Sequence, residues 1–377
     1  MKRQIATVFS EKFAAPPAAI YSSAGRINLI GEHLDYNGGY VLPGSIDKCI
    51  MAAIKPNGTG KVRLNAVDMN ESCEFTLDAD APAQQWARYV YGVCKETMKR
   101  QGKVQGFDAA FMGNVPLGAG LSSSAALESC FAFAINDLFN GNSIAKTELA
   151  KIGQDTEHNY CGVNCGIMDQ FASVMGLEGK LIRINCETLE YDYVPFTPKG
   201  YRLVLIDTKV KHELVNSPYN QRRNSCERAA KALGVKLLCN SSIDKLPAVK
   251  GLISDEDYKR AEYVLAEQKR VIDVCESLKR DDYEAVGKLM YETHHGLSAL
   301  YEVSCEELDF LNEVARECGV TGSRMMGGGF GGCTINLVKE GLYDAFVEAA
   351  TSKFEAKFGH KPGVIDVKIS NGAHKVC

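Results

Sequence analysis

The run Pro116-Leu117-Gly118-Ala119-Gly120-Leu121-Ser122-Ser123-Ser124-Ala125-Ala126 constrains this chain more than any other stretch. Glycines come first, then three hydroxyls, then an apolar segment. Gly118 and Gly120 allow a tight turn and a close approach of a ligand to the backbone. From Ala125 to Phe139 the chain is rich in Ala, Leu and Phe with few polar breaks, the composition of a buried helix. The hydroxyls therefore fall at a helix N-terminus, where unpaired N–H groups and the helix dipole favour an anion. Upstream, Phe107–Met112 reads as a strand. Strand, glycine turn and helix together form a phosphate cradle. A serine N-cap after a glycine turn is the simpler alternative. The run is not a Walker A loop, because none of the Gly-Lys pairs at 60–61, 102–103, 179–180 and 287–288 is followed by a hydroxyl. Any metal must be held partly by residues from elsewhere.

A chain of 377 residues is long enough for two domains. A net charge of −4 argues against a nucleic-acid partner, and no apolar run approaches the ~20 residues of a membrane span. Glu11 and Lys12 interrupt any signal-peptide core, so a cytoplasmic protein is expected. The fourteen cysteines are scattered with no Cys-x-x-Cys, and free thiols are expected rather than disulfides or structural zinc.

A short amphipathic helix (Ile5, Val8, Phe9, Phe13) is expected before Pro16-Pro17. The segment Tyr21–Pro43 then packs Arg26, Glu32, His33 and Asp35 between apolar flanks. By itself it reads as a polar site or, more simply, as a solvated loop. Strands are expected at Ile50–Ile54, Lys61–Val67 and Phe107–Phe111, and helices at Trp86–Arg100, Ala125–Phe139 and Thr147–His158. Asp169 is a lone carboxylate among Ile167, Met168 and Phe171; it is a helix-terminus Asp or a buried group needing a partner. A change near Pro195–Lys199, between strands at Leu181–Asn185 and Leu203–Asp207, divides the chain into domains 1–197 and 198–377. Ser254-Asp255-Glu256-Asp257 has capping-box spacing before a long amphipathic helix. Gly327, Gly329 and Gly332 form a literal Gly-x-Gly-x-x-Gly, but a strand-like run (Thr334–Val338) follows it where a dinucleotide fold needs a helix.

Three segments match one family in the right order. Gly25-Arg26-Ile27-Asn28-Leu29-Ile30-Gly31-Glu32-His33-Leu34-Asp35-Tyr36-Asn37 resembles the signature of galactokinases. The Gly118–Ala126 loop and Met326–Thr334 resemble two glycine motifs of the wider superfamily that includes homoserine, mevalonate and phosphomevalonate kinases. Cys165–Phe171 and Tyr219–Arg223 are similar to further galactokinase segments. The resemblance implies a two-domain α+β fold, with a ribosomal-protein-S5-like N-terminal domain, a ferredoxin-like C-terminal domain and the active site between them. It implies transfer of the γ-phosphate of ATP to the C1 hydroxyl of galactose, in the Leloir pathway, with Mg²⁺ as cofactor and a monomer as the expected state.

The resemblance also implies roles. Asp169 would take the proton from the C1 hydroxyl, and Arg26 beside it would stabilise the phosphoryl group in flight. Glu32, His33, Leu34, Asp35, Gly166 and Tyr219 would form the sugar site. The turn from Gly118 through Ser124 would cradle the nucleotide phosphates, and Trp86 would lie near the adenine unless it is a core indole. Ser124 and Glu157 would hold Mg²⁺. Two departures stand out: Ser298-Ala299-Leu300 replaces a charged Arg-Asp-Asp, and Met326 stands where Thr is common. A related sugar-1-kinase acting on N-acetylgalactosamine or arabinose shares these motifs. So does a catalytically inactive sugar sensor, although such sensors lose residues from the serine–alanine turn that is intact here.

Overall fold

The computed structural model describes residues 1–116, 118–210 and 218–377. Helix α1 (Lys2–Phe13) buries Ile5 and Phe9 one turn apart and ends at Ala14 in a left-handed conformation. Then come strands β1 (Ala19–Asn28), β2 (Tyr40–Val41), β3 (Pro43–Pro56), β4 (Lys61–Ala66) and β5 (Glu71–Thr76). Helix α2 (Gln85–Lys99) and strand β6 (Phe107–Gly113) lead to the helices α3 (Ser123–Asn140), α4 (Lys146–Thr156) and α5 (Met168–Met175). The apolar run after the serines is thus helix α3, buried nearly all round and packed across β1 and β3. It lies on a mixed six-stranded sheet of order β13-β1-β3-β6-β4-β5, in which β13 is His374–Lys375 and only β4 and β6 pair in parallel.

Strands β7 (Lys180–Asn185) and β8 (Tyr191–Pro195) join β2 in a small antiparallel sheet. Beyond them lie β9 (Tyr201–Asp207), α6 (Pro218–Ala232), α7 (Asp255–Leu278), α8 (Tyr283–Ala299), α9 (Glu306–Glu317), β10 (Gly322–Met326), β11 (Cys333–Lys339), α10 (Tyr343–Phe358) and β12 (Gly363–Val367). These strands form an antiparallel sheet of order β10-β11-β9-β12, with Phe346, Ala350 and Phe354 of α10 and Leu311 and Val314 of α9 packed on Val204, Ile206 and Val338. Residues 197 and 198 fall between β8 and β9, which belong to different sheets. The halves are nevertheless interleaved, since β13 returns to the first sheet and one apolar core draws on both.

The N-terminus of α7 shows half of a capping box. Ser254 Oγ accepts from the Asp257 backbone N–H at 3.1 Å, while the Asp257 carboxylate turns to Arg228. All fourteen cysteines are free. Among the described residues no helix is long and apolar enough to cross a membrane.

The Tyr21–Asn28 stretch departs from the loop expectation. It is strand β1, with all ten residues of the strand buried. Several of its polar residues survive burial because they find partners: Tyr21 donates to Asp137, Ser23 to the Ser173 carbonyl, and Arg26 to Asp169.

Candidate active site

Strand β1 breaks register against β3 between Ala24 and Arg26. Such an irregularity re-aims a side chain, and here it turns Arg26 toward the serine turn. Gly25 makes the approach possible: a Cβ there would sit 2.7 Å from the Leu121 carbonyl oxygen. The Arg26 backbone N–H donates to that same carbonyl at 3.1 Å, and its guanidinium also donates to the Gly120 carbonyl. Strand and turn are stitched together at the point where the chemistry would lie.

Arg26 meets Asp169, in the first turn of α5, as a two-pronged pair: Nε to Oδ1 at 2.7 Å and Nη2 to Oδ2 at 2.6 Å. Burial opposes the charge on Arg26, but Asp169, with Glu32 and Asp35 adding to it, holds the guanidinium pKa above its ordinary value. Ser122 also donates to Asp169 Oδ2. Ser122 is not an N-cap. Its φ of 56° is left-handed and its side chain makes no bond to the first turn of α3. The hydroxyl that would close off the helix N-terminus is drawn to Asp169 instead.

On the other side of Arg26, Glu32 and His33 are buried and Asp35 is partly so. Glu32 Oε1 accepts from Arg324 Nη1 and Nη2, both at 3.2 Å, and from the Gly327 N–H at 2.9 Å. His33 has a φ of 64°, an uncommon conformation for a non-glycine residue; Asn37 Nδ2 holds its carbonyl at 2.8 Å. Its ring meets the Tyr36 hydroxyl at 2.9 Å, and burial together with the nearby Arg222 charge pushes its pKa down to about 3, so the imidazole is neutral. Asp35 goes the other way: burial, then repulsion from Asp169 and Glu32, outweighs its backbone hydrogen bonds and lifts its carboxyl to about 7. Gly166 lies against this carboxylate, and a Cβ there would fall 1.9 Å from Asp35 Oδ2. Only glycine fits.

Helix α4 continues into a π-helical turn, Glu157–Cys161, a distortion often found at functional sites. It brings the buried Glu157 carboxylate to a hydrogen bond with Ser124. Burial raises the Glu157 pKa, bonds from Ser124 and Cys165 oppose that, and Asp169 adds to it. A hydroxyl and a carboxylate this close, with the carboxylate charge disfavoured by burial, suit a hard divalent cation.

One cleft of about 480 Å³ gathers these groups. Its walls include Arg26, Glu32, His33, Asp35, Gly118, Gly120, Leu121, Ser122, Ser123, Ser124, Glu157, Gly166 and Asp169, together with the glycine loop between β10 and β11. Leu34 and Ala119 do not reach it: both are core residues, 0% and 1% exposed. Trp86 also lies in the core, with its indole N–H on Glu71 Oε2 at 2.6 Å and its ring 5.6 Å from that of Phe111. Tyr89, one turn further along α2, lines the cleft instead. Sequence reasoning missed it, although its i+3 spacing from Trp86 was a signal. The Tyr219 side chain lies outside the described residues, as do residues 211–217.

Comparison with known proteins decides the family. The chain matches the GHMP kinase N-terminal domain over residues 88–177, the GHMP kinase C-terminal domain over 275–356, and the galactokinase galactose-binding signature over 7–56. It is 40% identical to the galactokinase of Thermotoga petrophila over 353 residues, covering 93% of this chain and 98% of that one. It is 39% identical to the galactokinase of Clostridium beijerinckii over 380 residues, covering 98% and 97%. The chain belongs to the galactokinase family. The crystal structure of Lactococcus lactis galactokinase complexed with galactose superposes with a TM-score of 0.92 at 32% identity, covering 98% of each chain. The mevalonate kinase of Methanococcus jannaschii, at 19% identity and a TM-score of 0.67, shares the fold.

Of the two departures, Ser298-Ala299-Leu300 lies behind the cleft wall and Met326 lies in it. Ser298 donates to Asp309 Oδ2 at 2.9 Å, and Asp309 also takes Ser304 and His294. His294 Nδ1 accepts from the Met325 N–H at 3.1 Å, which leaves Nε2 as the donor to Asp309. Ser298, Ser304 and His294 thus converge on the Asp309 carboxylate beneath β10; burial opposes its charge, but their bonds hold its pKa below the ordinary value. Met326 is the last residue of β10 and is buried.

Proposed function

We infer that this chain is an ATP-dependent galactokinase, transferring the γ-phosphate of ATP to the C1 hydroxyl of α-D-galactose to give galactose 1-phosphate and ADP. The observation that carries the mechanism is the Arg26–Asp169 pair, set between the serine turn and the Glu32–His33–Asp35 wall. Asp169 accepts the proton as the C1 oxygen bonds to phosphorus and the bond from phosphorus to the ADP oxygen breaks. Phosphoryl transfer needs positioning and charge stabilisation more than covalent catalysis. Arg26 supplies a fixed charge beside the base. The uncapped start of α3 offers backbone N–H groups to the phosphates.

Ser124 and Glu157 would hold Mg²⁺. When bound, it would neutralise charge on the phosphate oxygens. Glu32, neutral His33, Asp35 and the Gly166 backbone would bind the sugar hydroxyls. The fourteen free thiols fit a reducing compartment, and we place the protein in the cytoplasm.

A coupled assay of ADP release over galactose, N-acetylgalactosamine, arabinose and glucose, with the product identified by phosphorus NMR, tests this. Galactose is expected to have the highest kcat/KM and to yield the 1-phosphate. Preference for another sugar would overturn the substrate; absence of sugar-dependent ADP release would overturn the kinase.

A further inference from the structure

Among the described residues Arg324 is the largest fully buried side chain, and it lies in β10, outside the cleft wall. A guanidinium has five N–H donors, and here five contacts take them up. Nε donates to the Leu29 carbonyl at 2.8 Å; Nη1 donates to the Met325 carbonyl at 2.6 Å and to Glu32 Oε1; Nη2 donates to the Asn28 carbonyl and again to Glu32 Oε1. Three of the four groups it holds belong to the end of β1 and the signature that follows, more than 290 residues away in sequence.

Burying an ion pair is a poor way to gain stability, because both ions lose their hydration. Its geometric effect is on Glu32. With three N–H groups on Oε1, the carboxylate cannot rotate, and among the described residues Oε2 has no hydrogen-bond donor. Glu32 itself lines the cleft. The side chain therefore offers a single acceptor in one direction rather than two interchangeable ones. A fixed acceptor rewards a hydroxyl at one place and penalises its absence, since the acceptor is then left desolvated and unpaired.

We propose that Arg324 is a specificity-determining positioning residue, which pins Glu32 Oε1 so that Oε2 reads one hydroxyl of the sugar. The proposal rests on the sugar role given to Glu32 above. Because the third donor to Oε1 is the Gly327 N–H of the glycine loop, it also makes sugar reading depend on the C-terminal half.

The test measures kcat/KM for galactose and for each of its single-deoxy analogues in the full chain. The variants are Arg324→Met, Arg324→Lys, Glu32→Gln and the double variant Glu32→Gln/Arg324→Lys. Wild type is expected to disfavour one analogue through Glu32. Arg324→Met and Arg324→Lys are expected to cut that one preference by about tenfold or more, leaving preferences at the other positions in place. In the Glu32→Gln background Arg324→Lys should add nothing further to that preference. Should Arg324→Met not fold, the two lysine variants carry the comparison. An Arg324→Lys protein with lower Tm and unchanged preference at every position would make Arg324 a structural bolt and overturn the proposal, as would an equal effect in both Glu32 backgrounds. Glu32→Gln without effect on any preference would instead remove the sugar role of Glu32, and the proposal with it.

Discussion

The two walls of the cleft are built in opposite ways. The signature wall is braced by protein hydrogen bonds. Gly31 N–H is held by Glu267 at 2.8 Å, the Glu32 carbonyl by Tyr263 at 3.1 Å, the Glu32 carboxylate by Arg324 and Gly327, and the His33 carbonyl by Asn37. Much of that bracing comes from the C-terminal half. The serine turn is the reverse. Gly118 and Gly120 are exposed, the three serines are half-buried, and α3 starts without a side-chain cap. A neutral sugar brings little binding energy per group and must be read by acceptors already in place. A polyphosphate brings its own charge and needs only open N–H donors. On the function proposed above, the difference would separate a wall that recognises from a wall that receives, and Arg26 with Asp169 is where they meet.

The largest effect is expected at that meeting point. Asp169→Asn should lower kcat by at least ~10²–10⁴, the range for lost general-base help, with sugar still bound by calorimetry. Near-normal turnover would remove Asp169 from the chemistry. Arg26→Ala should lower kcat by at least ~10²; a change confined to KM would assign Arg26 to the receiving wall alone.

On the phosphate side, Glu157→Gln should raise the Mg²⁺ concentration for half-maximal activity by roughly tenfold or more, the least expected for a direct ligand, and leave the KM for galactose in place. A shift in the sugar KM instead would blur the division between the walls.

The smallest effect is on pH dependence at the sugar side. The Asp35 carboxyl is raised from 3.8 to about 7, so between those values the native protein holds a proton that the unfolded chain has released. Its contribution therefore favours the native state at low pH and is lost as pH rises through about 7. Asp35→Asn should flatten the fall in urea midpoint over that interval, and an unchanged slope would contradict the assignment.

The sequence showed those features whose signal is local. The serine turn, helix α3, the cap at Ser254 and the strand after the second glycine cluster are each written in consecutive residues. The resemblance supplied Arg26, Asp169 and Glu157 as a set, and the structure shows why spacing could not: the first two are 143 residues apart and meet only through the register shift at Gly25. Strand β1 was hidden because its polar residues look solvated until Asp137, Ser173 and Asp169 arrive from elsewhere. Arg324 and Glu267 carry no local mark of that bracing either, since the signature groups they hold lie more than 230 residues away. Trp86 illustrates the opposite error, in which a conspicuous residue sits in the core while Tyr89, one turn on, faces the cleft.

The central claim is that one carboxylate faces the sugar's C1 oxygen while the serine turn holds the nucleotide. A crystal structure with galactose, Mg²⁺ and a non-hydrolysable ATP analogue measures both at once. The account predicts Asp169 within hydrogen-bond distance of the C1 oxygen and the phosphates seated on Gly118–Ser124. A C1 hydroxyl turned away from Asp169, or phosphates bound anywhere but that turn, would contradict it.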